Sequence, residues 1–102
     1  MRTCCLIKIN NDDESITMVK LKDGYPSYMV EEVFDMILPN IEWTPNDIAS
    51  LLVKYNCIHT KCASGEEKFL YVIDCPTRRL KCYHRDNKEG FDMSFSLINK
   101  MY

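Results

Sequence analysis

The chain has 102 residues, 46% of them hydrophobic and 27% charged, and a net charge of −2. That length holds one core and leaves no room for a second, so residues 1–102 are expected to form a single domain. The composition excludes wholesale disorder, and the charge balance excludes a surface given over entirely to nucleic acid.

Charge is unevenly spread. Residues 1–56 carry five Lys/Arg against nine Asp/Glu, whereas residues 57–102 carry eight against six, so the C-terminal half is where an anionic ligand is expected. No run approaches the roughly 18 apolar residues of a bilayer span, so no membrane partner is expected. Lys8 breaks the N-terminal apolar run before a signal-peptide core could form, which sets the expected location as cytoplasmic. In that compartment the six cysteines are expected as reduced thiols, several within apolar runs where Cys packs as a small hydrophobe.

Residues 3–9 form a short apolar, β-leaning run, Asn10 to Glu14 a polar loop, and Ser15 to Leu21 a second run, together a hairpin. Asp23-Gly24-Tyr25-Pro26-Ser27-Tyr28 closes it. Gly24 is expected to supply a positive φ for the reversal, and Pro26 to preset φ for the first helical residue. From Tyr28 the period changes. Met29, Val30, Val33, Phe34, Ile37 and Leu38 recur at spacings of three and four, one stripe of an α-helix that Pro39-Asn40 stops.

Thr44-Pro45-Asn46-Asp47 reads as a second helix start, with Thr44 as cap, Pro45 at the first position, and Trp43 and Ile48 placed as a hydrophobic staple. Ile48, Leu51, Leu52 and Tyr55 form its buried stripe. Strands are expected over Cys57–Ala63, Phe69–Cys75, Leu80–Arg85 and Phe91–Leu97, the middle two paired as a hairpin. The order is β-β-α-α-β-β-β-β: an α+β fold with a mainly antiparallel sheet and both helices packed on one face.

Three constellations bear on chemistry. Cys57-Ile58-His59 and Cys82-Tyr83-His84 are C-x-H triplets whose thiolates and imidazoles would converge on zinc if their strands were neighbours, giving a zinc-stabilised interaction module. The spacing lacks a C-x2-C knuckle, core packing explains the thiols, and neither a metal nor another cofactor is assigned. For a catalytic cysteine, no Cys stands at an expected helix start and no hydrolase, P-loop or dinucleotide fingerprint appears, so an enzyme is not expected. The third is the basic hairpin. Arg78 and Arg79 lie at its tip, and Lys81, Tyr83 and Arg85 alternate along one face. Such a face can hold a phosphate while a ring stacks on a base, making a nucleotide or nucleic-acid ligand the alternative to a protein partner. It also serves simply as a solvated strand that discourages edge pairing. Asp23, Tyr25 and Tyr28 at the strand-to-helix turn form a second candidate binding corner, although backbone geometry alone accounts for Gly24 and Pro26.

A hairpin followed by D-G-Y-P-S-Y and an amphipathic helix resembles a group of small uncharacterised proteins from phages and mobile elements, over about residues 2–38. In that pattern His and Trp often precede the aspartate. Leu21 and Lys22 stand there instead, so any role of that His or Trp does not carry over. The resemblance implies an accessory protein that binds, and possibly inhibits, a host protein. With a narrow stability margin at this length, a homodimer is also part of the expectation.

Overall fold

The computed structural model describes residues 3–37, 44–60, 67–84 and 90–94. β1 (Cys5–Asn10) and β2 (Ser15–Lys20) pair antiparallel from Cys5↔Lys20 to Asn10↔Ser15, and the Asn11 N–H donates to the Glu14 carbonyl at 2.9 Å to close the loop. β3 (Cys57–His59) pairs with β2, β4 (Phe69–Asp74) with β5 (Arg79–His84), and β5 with β6 (Gly90–Ser94), all antiparallel. β4 also lies parallel to β1, in register from Cys5↔Phe69 to Asn10↔Asp74. The six strands run in the order β3-β2-β1-β4-β5-β6. The sheet is therefore mixed, not mainly antiparallel. Periodicity records only which face a residue takes, and the choice of β4 as the second neighbour of β1 is a long-range pairing with no local signal.

The register sorts the strands into two faces. Cys5, Ile7, Ile9, Met18, Cys57, Tyr71, Ile73, Leu80 and Cys82 share one face and are buried, forming the core with Met29, Val30, Val33, Phe34, Ile48, Ala49 and Leu52 of the helices. Phe34 meets Tyr71 edge-on, with ring centroids 5.2 Å apart. Leu6, Lys8, Val19, Ile58, Leu70, Val72, Arg79, Lys81 and Tyr83 take the other face, where no helix packs among the described residues.

The first helix departs from the expected α-helix. It begins as α1 (Pro26–Tyr28), widens into a π-helical stretch over Met29–Phe34, and returns to α2 (Asp35–Ile37). The apolar positions offer a reason. Met29, Val30, Val33 and Phe34 are separated by one, four and five residues, and a turn closed by i→i+5 bonds brings positions four and five apart into line more closely than an α-turn does. All four side chains are fully buried. The expected end of this helix, Leu38 to Asn40, lies outside the described residues, as does Trp43.

α3 (Pro45–Val53) starts as its sequence indicates. Thr44 is extended (φ −94°, ψ 144°), its Oγ1 accepts from the Asp47 N–H at 3.3 Å, and Pro45 fills the first turn. Ile48, Ala49 and Leu52 are buried, and the helix ends in a turn with Asn56 at φ 68°. The later strands differ from expectation at their ends: β3 stops at His59 and β4 at Asp74, β5 and β6 each begin one residue early, at Arg79 and Gly90, and residues 61–63, Arg85 and 95–97 lie outside the described set.

At the joint between β2 and α1 the positive φ belongs to Asp23 (58°) rather than Gly24. Glycine is required for space. A Cβ at residue 24 would stand 2.7 Å from Cys5 Cβ, 2.8 Å from the Cys5 nitrogen and 2.9 Å from the Thr3 carbonyl oxygen. Backbone atoms make up two of those contacts, so relief requires moving β1. Gly24→Ala is expected to lower stability by about 1–3 kcal/mol, as overpacking of a tight site does, read from the urea midpoint. Thr44→Ala should cost about 1 kcal/mol for the lost cap. A full-strength Gly24→Ala variant would contradict the close approach.

Candidate functional site

The strand register decides which of the candidate residues meet. Arg79, Lys81 and Tyr83 alternate down β5 on the helix-free face, as their spacing predicts; Tyr83 is 43% exposed, and Arg79 and Lys81 are half-buried. Arg78 sits in the β4–β5 turn with φ 55° and is exposed; its N–H donates to the Cys75 carbonyl at 3.3 Å. Arg85 lies outside the described residues.

Acidic residues stand opposite two of these positions in the strand register. Asp74 stands opposite Arg79, with its Oδ2 accepting from the Thr77 hydroxyl at 2.8 Å, and Asp92 stands opposite Lys81. Cross-strand pairs of opposite sign stabilise a sheet by a few tenths to about 1 kcal/mol, so part of this basic pattern serves the strands themselves. β1 contributes what sequence reasoning missed. Lys8 lies beside Val72, which lies beside Lys81, all on one face. Alternation marks Lys8 as the polar residue between Ile7 and Ile9, but only the β1–β4 pairing brings it next to the hairpin.

The Asp23–Tyr28 corner is a separate place. It leads from β2 into the helical layer, on the face opposite to Arg79, Lys81 and Tyr83, so the two candidate surfaces do not merge. Gly24 donates its N–H to the Thr3 carbonyl at 2.8 Å and accepts at its own carbonyl from the buried Tyr71 hydroxyl at 2.7 Å. Tyr25, 40% exposed, packs edge-on to Tyr28 with centroids 6.3 Å apart. Behind Tyr28 lies Lys20, only 3% exposed, whose ammonium is 5.5 Å from the ring centroid and donates to the Tyr55 carbonyl at 2.9 Å. This cation sits at the C-terminal turn after α3, where carbonyls gather negative potential, and its burial rests on that carbonyl and the ring face. Burial, followed by the nearby Asp23 and Glu32 carboxylates, raises the Tyr28 phenol above its ordinary range. Tyr28 and Lys20 pack inward at this corner, while Asp23 and Tyr25 stay exposed. Beside it opens a cleft of about 410 Å³ lined by Lys20, Leu21, Lys22, Asp23, Asn56 and Ile58.

The C-x-H triplets do not converge. Cys57 and His59 are on β3, Cys82 and His84 on β5, and β2, β1 and β4 lie between them. Four strand spacings amount to about 19 Å, far beyond ligation by one ion. His84 instead packs edge-on to Phe69 at 4.8 Å.

Four of the thiols, Cys5, Cys57, Cys75 and Cys82, are buried and held protonated. Burial raises Cys5, and the neighbouring Cys57 adds to it. Burial pushes Cys57 up to about 11 despite the opposing pull of Lys20, and Cys75 to about 11 with help from Asp74 and Glu14. Cys82 rises to about 12 against a hydrogen bond with Tyr71. A thiol held protonated is a poor nucleophile and a poor metal ligand at neutral pH.

Compared with known proteins, the chain matches no protein-family model, no curated protein and no solved structure.

The thiols give a signed pH dependence. Above the ordinary thiol value of 9.0 the unfolded chain releases protons that the folded chain retains, so the unfolded state binds fewer protons and stability falls as pH rises. Stability should be level in this respect below about pH 9 and decline through pH 11–12, measured by urea unfolding across that range. Cys57, Cys75 and Cys82 should also resist a thiol reagent at pH 8 until the protein is unfolded; rapid labelling of the folded protein at these three positions would contradict their burial.

Proposed function

We propose that the chain is a non-enzymatic binding protein that recognises another protein through the helix-free face of its sheet. Arg79, Lys81 and Tyr83 of β5 form the contact, with Lys8 of β1 beside them and Arg78 at the rim. The observation that carries this reading is the shared face: two further elements bring Lys8 and Val72 to the three residues that the β5 alternation already aligns. An exposed tyrosine next to partly exposed lysines and a half-buried apolar floor has the composition of a protein contact, in which a few aromatic and cationic side chains carry most of the energy. The resemblance of residues 2–38 to phage and mobile-element proteins makes a host protein the target, inhibited by occupation of its surface.

Nucleic acid is the second reading, favoured by Tyr83 beside Lys81. Against it, the described part of the face exposes one ring where stacking platforms use several, and Asp74 and Asp92 stand opposite Arg79 and Lys81.

Immobilised wild-type protein and a Lys81→Glu/Tyr83→Ala variant, each presented with host lysate, discriminate the two. The wild type should retain a partner that the variant releases at least tenfold more readily, with the melting temperature unchanged; Arg79→Ala should weaken capture less. Equal capture by the variant sinks the proposed face. Oligonucleotide binding that falls steeply between low and physiological salt would transfer the site to nucleic acid.

A further inference from the structure

Lys8, Val72 and Lys81 form one transverse row over three adjacent strands, β1, β4 and β5, and point to the same side. At about 4.8 Å per strand, the two lysines leave the sheet roughly 10 Å apart, with an apolar side chain midway. Lys8 is exposed, while Val72 and Lys81 are half-buried. One row along the strands, Leu70 and Tyr83 stand side by side and extend the apolar floor.

This spacing discriminates between kinds of partner. In an extended segment, side chains on one face recur at about 6.7 Å and 13.4 Å, neither of which matches the lysines. In a helix, positions i and i+7 lie on one face about 10.5 Å apart, with i+3 and i+4 between them. Successive helical turns, about 5.4 Å apart, would then rest on successive strands. We infer that the face binds an acidic amphipathic helix of a partner protein, lying across β1, β4 and β5. Carboxylates at i and i+7 meet Lys8 and Lys81, and an apolar residue at i+3 or i+4 rests on Val72.

Charge favours such an occupant over a second copy. The row neighbours of Lys8 are Thr17 and Val72, neither of them acidic, whereas Lys81 has Asp92 in register. Among the described helical residues of this chain no two carboxylates stand seven apart. Of its described exposed acids, Asp12, Asp13 and Glu14 are consecutive in the β1–β2 loop, and Asp23, Glu32 and Asp47 stand singly on other segments.

This inference rests on the proposed binding face, and its test separates the two. The isotope-labelled protein is titrated with two alanine-based helical peptides of equal composition and charge, at up to millimolar concentration. One carries Glu at i and i+7 with Leu at i+4; the other carries the same residues scattered around the helix. The first should shift the amides of Lys8, Val72 and Lys81 and bind at least about fivefold more tightly, and Lys8→Gln and Lys81→Gln should each weaken it about threefold, as single rim ion pairs do. Asp12→Asn should leave it unchanged. Equal binding of the two peptides, shifts centred elsewhere, or no shifts overturns the helix. So does tighter binding of a single-stranded oligonucleotide, or self-association abolished by Lys8→Gln. If the peptides bind alike while Lys81→Glu/Tyr83→Ala still loses its captured partner, the helix falls and the binding face stands. If that variant keeps its partner, the face itself falls.

Discussion

The contact between Gly24 and β1 is the constraint from which the rest of the arrangement follows. The turn after β2 presses its backbone against Cys5 and Thr3 closely enough that a methyl group would not fit, and two hydrogen bonds hold it there, one from Gly24 to Thr3 and one from Tyr71 to Gly24. Tyr71 belongs to β4, so this joint ties the first helix to both central strands. A buried carbonyl left without its hydroxyl donor loses about 1–3 kcal/mol, which makes the joint specific as well as tight. Once the chain leaves the sheet here, the apolar stripe of the helix has only one place to go, over the face containing Ile7, Tyr71 and Ile73.

That placement divides the described residues into a face covered by the helices and an opposite face over which no described helix packs, although Leu6 is buried there too. Cys5, Cys57 and Cys82 lie on the helical side, where burial keeps them protonated and where they pack as apolar groups. Lys20 is on this side too, an ammonium with no described carboxylate beside it, held by the Tyr55 carbonyl and the Tyr28 ring. A lone buried cation of this kind locks the end of α3 to β2; replacing it with a neutral side chain would leave that turn without its charge partner. The other face carries Lys8, Arg79, Lys81 and Tyr83, the residues proposed above to meet a partner.

Local features were legible in the sequence because they depend on neighbours in the chain. The Thr44 cap, the alternation of β5 and the burial of Met29, Val30, Val33 and Phe34 all follow from spacing. The π-helical widening was not legible, since spacings of three and four suit an α-helix as well, and the choice depends on the sheet beneath. Glycine's freedom points to Gly24 for the positive φ, but Asp23 takes it and Gly24 answers a steric demand made by Cys5. Strand order was the largest gap. The hairpins could be read from their turns, whereas the parallel union of β1 with β4 joins segments about sixty residues apart. Both the separation of the C-x-H triplets and the arrival of Lys8 beside Lys81 depend on that union.

The same union has a consequence for how the protein comes into being. β1 is made before the other described strands and occupies the middle of the sheet, yet its second neighbour is not synthesised until residues 69–74. At cellular translation rates of about 5–20 residues per second, the β1–β2 hairpin spends several seconds on the ribosome with one edge of its central strand unpaired. Cys5, Ile7 and Ile9 face the core side during that interval, and the helices that cover them arrive before the strand that completes the ladder. Until residues 69–74 are made, the edge of β1 lacks the strand that pairs with it in the folded protein. Pairing along that edge closes a long loop, the slow kind of step in folding.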